Sequence, residues 1–153
     1  MAWNGEQPLN FNSLQKRIGR KKVSKSLIES VPVILIAYDL LEFKGKDIRS
    51  QKFNLRRSKL ETLINNTPKN LPIKLSEKIE HKTWNDLKLI RETSRSRKAE
   101  GIMLKHVDSD YSNGRKRGNW WKWKLDPLTI DGVLIYAQAG HGRRANLFTD
   151  YTF

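Results

Sequence analysis

The longest apolar run in this chain is only seven residues, Val31-Pro-Val-Ile-Leu-Ile-Ala37, with a proline in second place. A bilayer span needs roughly 20 apolar residues, so a membrane-spanning helix is excluded. The run is rich in β-branched residues, and Pro32 near its start favours a buried strand over a helix. Thirty Lys+Arg against sixteen Asp+Glu leave a formal charge of +14, spread over both halves of the chain rather than confined to a tail. The 37% hydrophobic share and five Trp can still build a core, which rules out a disordered polyelectrolyte. There is no Cys, hence no disulfide framework and no thiolate site. No basic-then-apolar leader stands at the N-terminus, so a cytoplasmic domain with a polyanionic partner, nucleic acid first, is expected.

Helical and extended periods alternate along the chain. Leu14 and Ile18 share a face of a helix expected from Asn12 to Ile18, capped by Asn12 or Ser13. Val31 to Tyr38 reads as a strand. Asn54 to Ile64 reads as a helix with Leu55, Leu60 and Ile64 inward and Arg56, Arg57 and Lys59 outward. Leu71 to Glu80 looks extended. Thr83-Trp-Asn-Asp86 approximates a capping box and opens a helix to about Ser96. Ile102 to Val107, Trp120 to Lys124 and Ile130 to Tyr136 read as strands. Met1 to Trp3 meets the Asn4-Gly5 turn as though a hairpin lacked its first strand, and the aromatic pattern from Leu147 ends in mid-strand at Phe153. Both ends therefore read as cut.

The densest chemical signal is Tyr111-Ser-Asn-Gly-Arg-Lys-Arg-Gly-Asn-Trp-Trp-Lys-Trp-Lys124. Strand alternation sends Trp121 and Trp123 to one face, and Trp120, Lys122 and Lys124 to the other. Two ammonium groups about 7 Å apart suit a phosphate oligoanion. A surface strand with snorkelling lysines is the plainer reading, and base stacking on the Trp rings a third. Glu100, just before Gly101, could hold Mg²⁺ or simply pair with a lysine. Tyr38 could present its ring to a flat ligand or serve as a core tyrosine. Arg115, Lys116 and Arg117, with Arg143 and Arg144 of the turn Gly140-His-Gly-Arg-Arg144, are candidate nucleic-acid contacts. The three histidines are scattered without ligand spacing, and no Walker or G-x-S-x-G motif occurs.

Taken together these segments resemble the ATP-dependent DNA ligases, a branch of the covalent nucleotidyltransferases. Pro8 to Arg20 is similar to the helix region after the family's second motif. Ala37-Tyr-Asp-Leu-Leu-Glu42, with Gly45, Arg49 and Leu55-Arg-Arg57, is similar to the third motif and its extension. Glu100-Gly-Ile-Met-Leu-Lys105 resembles the fourth, and Trp121-Lys-Trp-Lys124 the fifth. Asp131 to Arg144 looks like the first strand and turn of the OB-fold that follows.

The resemblance implies an α+β fold with mainly antiparallel sheets, flanking helices and a nucleotide cleft between the sheets. Residues 1–127 would be a partial adenylation (nucleotidyltransferase) domain, residues 128–153 the start of an OB-fold, and Asp126-Pro127 the hinge between them. Tyr38 would stack on the adenine of ATP or AMP, Glu100 would help hold Mg²⁺, and Lys122 and Lys124 would be the catalytic pair on the α-phosphate. The partner would be nicked double-stranded DNA, engaged by a monomer together with the N-terminal part of the ligase. One departure matters: the K-x-D-G motif that supplies the AMP-accepting lysine is absent from these 153 residues, as is the second-motif acid. Self-adenylation by this chain alone is therefore not expected. An RNA ligase or capping-type enzyme, and a non-catalytic basic nucleic-acid-binding module, are the alternatives.

Overall fold

A computed structural model describes residues 1–114 and 116–153. Its elements are α1 (Phe11–Gln15), α2 (Lys25–Ser30), β1 (Leu35–Ala37), β2 (Glu42–Phe43), β3 (Lys46–Asp47), α3 (Phe53–Asn65), β4 (Ile73–Leu75), α4 (Trp84–Glu92), β5 (Gly101–Lys105), β6 (Trp120–Lys124), β7 (Tyr136–Ala139) and β8 (Phe148–Thr152). A short 3₁₀ turn, Gly142–Arg144, lies between β7 and β8. The strands make two-stranded sheets: β1 with β4 is parallel, whereas β2 with β3, β5 with β6 and β7 with β8 are antiparallel. Mixed helices and small, mainly antiparallel sheets make the chain α+β. Among the described residues no helix is long and apolar enough to cross a membrane.

Several boundaries differ from the sequence reading, each for a local reason. The apolar run from Val31 is not one strand. Pro32 has no N–H to give a ladder; its carbonyl accepts from Trp3, Val33 bridges to Ala2, and only Leu35–Ala37 pairs with β4. Trp3 bridges to Pro8 across the Asn4-Gly5 turn, and Ala2 is buried between that arm and Val33. α1 begins earlier than expected because Asn10, not Asn12 or Ser13, is its cap, accepting from the Ser13 amide at 3.1 Å. Ile18 lies beyond its end and is exposed. α2 was not anticipated; Ser24 caps it.

α3 corrects a side-chain assignment. At 3.6 residues per turn, Phe53, Arg56, Leu60 and Ile64 fall on one face and Leu55 on the opposite one. Leu60 is 2% exposed, Arg56 is 0% and Leu55 is 52%, so Arg56 points inward and Leu55 outward. No side chain caps this helix. Instead the Phe53 and Asn54 amides donate to the carbonyls of Ser109 and Val107 at 2.7 and 2.9 Å, which fastens α3 to the segment after β5.

α4 carries the expected capping box. Thr83 Oγ1 accepts from the Asp86 amide, and the Asp86 carboxylate accepts from the amides of Thr83 and Lys82. The regular helix ends at Glu92 rather than near Ser96. Thr83→Ala is expected to cost about 1 kcal/mol, read as a shift of the urea midpoint without a change in slope.

The strand expected at Ile130–Tyr136 is displaced. Closed by the Gly140 amide donating to Leu147, the β7–β8 ladder reaches only from Ala139 back to Tyr136 opposite Thr152, leaving Ile130 and Val133 exposed. The buried apolar residues, Ala2, Val31, Ile34, Ile48, Leu60, Leu87 and Ile102, come from segments on either side of β1, α3, α4 and β5.

Candidate active site

The β5–β6 ladder is the scaffold of the site. Its register sets Gly101 opposite Lys124, Met103 opposite Lys122 and Lys105 opposite Trp120, all on one face. Ile102 with Trp123 and Leu104 with Trp121 fill the other. Behind the sheet, Trp123 meets Trp84 edge-on at 6.3 Å and lies 5.0 Å from the Arg91 guanidinium. Arg91 also donates to the Lys124 carbonyl at 2.8 Å. α4 thus fixes the back of the strand whose front carries the two lysines, and the alternation expected for Trp120 to Lys124 holds.

Glu100 lies at the end of this face. Its Oε2 is 2.6 Å from Lys124 Nζ. The hydrogen bond and charge of Lys124, with a further contribution from Lys122, hold the Glu100 carboxyl below its ordinary range. Both partners are exposed, so the pair itself contributes little to stability and is free to exchange for other ligands. Gly101 makes the approach possible. Its φ is +152°, and a Cβ there would sit 2.3 Å from the Trp123 carbonyl oxygen.

Tyr38 is the first residue after β1 and is 53% exposed. It is tied to the same sheet face by Lys105, whose Nζ is 4.5 Å from the ring centroid and donates to the Tyr38 carbonyl at 3.4 Å. The next residue anchors it further. Asp39 accepts two hydrogen bonds of 2.9 Å from Arg56, and the two side chains are 3% and 0% exposed. Arg56 also donates to the carbonyls of Gln51 and Ser109. The face thus runs from Tyr38 through Lys105 and Met103 to Lys122, Lys124 and Glu100. Four residues of strand separate the Lys105 and Gly101 positions, about 13 Å, a length suited to a nucleotide.

Sequence reasoning named Tyr38, Glu100, Lys122 and Lys124 but passed over Lys105, Asp39 and Arg56. Alternation from Gly101 would have put Lys105 on this face. No local pattern signals the Asp39–Arg56 pair, because its members are 17 residues apart.

The residues present fit a divalent ion in a limited way. Among the described residues no group of three or more His, Cys, Asp or Glu could cage a metal. One ionised, exposed carboxylate beside two phosphate-suited lysines matches Mg²⁺, which takes one or two carboxylates and completes its shell with phosphate oxygens and water.

The candidate nucleic-acid contacts lie elsewhere. Arg115 falls outside the described residues. Lys116 and Arg117 are exposed ahead of β6, and Lys116 lines a cavity of about 320 Å³ with Asp47, Arg49 and Asn113. Arg143 and Arg144 are exposed on the turn between β7 and β8, a sheet separate from the β5–β6 face.

The family model described as ATP dependent DNA ligase domain matches residues 1–124. A probable DNA ligase of Koribacter versatilis is 29% identical over all of this chain and 30% of its own length. The DNA ligase of Methanococcoides burtonii is 31% identical over 94% of the chain and 25% of its own length. DNA ligase 2 of Haloquadratum walsbyi is 34% identical over 92% of the chain and 22% of its own length. The chain thus spans less than a third of these relatives. With the family match extending over every element from α1 to β6, the chain belongs to the ATP-dependent DNA ligase domain family.

Proposed function

We propose that this chain is part of an ATP-dependent DNA ligase and that the β5–β6 face is its nucleotide site. Tyr38 stacks on the adenine of ATP or AMP. Lys122 and Lys124 bind the phosphates as point charges, chiefly at the α-phosphate, and Glu100 holds Mg²⁺ against them. Mg²⁺, when bound, adds positive charge where negative charge develops on the phosphates. In the whole enzyme a deprotonated lysine attacks the α-phosphorus of ATP and pyrophosphate leaves; the 5′-phosphate at a DNA nick then takes the AMP and frees the lysine; and the 3′-hydroxyl, losing its proton, attacks that 5′-phosphate and expels AMP. Residues 1–127 form part of the adenylation domain, and residues 128–153, with Arg143 and Arg144, begin an OB-fold that closes over the DNA. Lys116 and Arg117 meet the DNA backbone.

The observation that carries this reading is the convergence of Glu100 and Lys124 at 2.6 Å on the strand face that also bears Lys122. Titration of the chain with ATP and Mg²⁺ is expected to show binding that Lys122→Ala together with Lys124→Ala weakens by at least about ten-fold. Labelled ATP followed by denaturing electrophoresis should show no covalent adduct, since no K-x-D-G lysine is present in these 153 residues. An AMP adduct would overturn that account of the nucleophile. ATP affinity indifferent to both lysines would overturn the site.

A basic nucleic-acid module without chemistry is the second reading, favoured by the charge of +14. It requires the two lysine changes to lower DNA affinity while the unaltered chain binds no ATP.

A further inference from the structure

Among the described residues only Lys105 sets its charge against three aromatic rings. Its Nζ lies 4.2 Å from the Trp120 ring centroid, 4.5 Å from Tyr38 and 4.7 Å from Phe53. The rings come from β6, the segment after β1 and the start of α3. No carboxylate among the described residues is within salt-bridge distance of it. Burial pushes its ammonium down from 10.5 to about 8; Asp39 opposes this, while Arg57 and Arg56 act with it. A half-buried ammonium of this kind is supported by the negative faces of the rings and by the Tyr38 carbonyl.

We propose that Lys105 is a positioning residue for the base of a bound nucleotide, acting through the ring of Tyr38. The inference rests on the nucleotide reading above and goes beyond it by naming what sets the base end of the site. Three consequences of the geometry support it. The hydrogen bond and the ring contact together hold Tyr38 at a fixed angle to β5. A cation on one face of an aromatic ring draws π density toward itself, so the opposite face is less negative and better suited to an electron-rich purine. Finally, Lys105 is two residues along β5 from Met103, the partner of Lys122, so one rigid ladder spaces the base-holding ring from the phosphate-holding lysines.

The test separates the two ends of the ligand. The unaltered chain, Lys105→Met and Lys105→Arg are each titrated with ATP, AMP and inorganic tripolyphosphate in the presence of Mg²⁺, with thermal melts alongside. Lys105→Met is expected to lose about ten-fold in affinity for ATP and AMP while its affinity for tripolyphosphate is unchanged; Lys105→Arg should keep most of the nucleotide affinity. If Lys105→Met does not melt cooperatively, Lys105→Gln, which can still donate to the Tyr38 carbonyl, carries the same comparison. Equal losses for ATP and tripolyphosphate would mean that Lys105 merely holds the sheet together, and the proposal fails. Unchanged ATP affinity in Lys105→Met also overturns it, while leaving the nucleotide site intact. If the unaltered chain binds ATP no better than tripolyphosphate, the base site itself is absent, and both readings fall.

Discussion

Arg56→Met is expected to remove a large part of the chain's stability, about 3–5 kcal/mol. The change removes a guanidinium that is 0% exposed and strands the Asp39 carboxylate, itself 3% exposed, with only the Leu40 amide, at 2.8 Å, still donating to it among the described residues. The carbonyls of Gln51 and Ser109 lose a donor as well. Breaking a buried ion pair from one side typically costs about 3–5 kcal/mol. Whole domains are stable by only about 5–15 kcal/mol, and the buried apolar set here is small. Urea titration followed by tryptophan fluorescence measures the loss. The double change Arg56→Met with Asp39→Leu should recover most of it, because the penalty comes from the stranded charge rather than from the pair's absence. A single variant within about 1 kcal/mol of the unaltered chain would contradict the burial of this pair. ATP binding should fall with the fold, since Asp39 adjoins Tyr38.

The second large effect belongs to Gly101→Ala. A methyl group there would meet the Trp123 carbonyl oxygen at 2.3 Å and Lys124 Cα at 2.6 Å, both backbone atoms that cannot rotate aside. The φ of +152° adds strain for any L side chain, of order 1–3 kcal/mol. The ladder must open at the end where Glu100 meets Lys124. ATP affinity is expected to drop more than about ten-fold, with a lowered melting temperature. Gly45→Ala is the control. Gly45 also has positive φ, at +74°, in the β2–β3 turn, but nothing lies within 4 Å of its added methyl. It should cost only about 1–2 kcal/mol of backbone strain and spare ATP affinity. Equal ATP affinity for Gly101→Ala and the unaltered chain would show that the close approach of the two strands is unimportant to the site.

The parts of this molecule legible in the amino-acid order are those decided over a few residues. Strand alternation has a period of two, so the opposite facing of Trp123 and Lys124 followed once Trp120 to Lys124 was read as extended. The Thr83–Asp86 box was visible because a cap and its reciprocal acceptor lie within four residues. The apolar run from Val31 has the pattern of a single strand, although Pro32 divides its pairing between Ala2 and β4. The helix around Leu60 is legible in its spacing, but hydrophobicity alone points Leu55 inward and Arg56 outward. That rule fails for a cation whose counter-charge lies in another element.

Order along the chain alone therefore determined the family motifs, the shared face of the two β6 lysines and the acid before Gly101, since each is a matter of residue type and short spacing. Tertiary structure decided the rest: that Arg56 turns inward, that Lys105 sits among three rings from distant segments, and that Glu100 reaches Lys124. For Arg56 and Lys105 the physical reason is burial: a charge is stable away from water only where its partners already stand, and those partners converge from positions 17, 15, 52 and 67 residues away. Glu100 stays in water, and it meets Lys124, 24 residues on, because the register of the β5–β6 ladder sets their strands side by side.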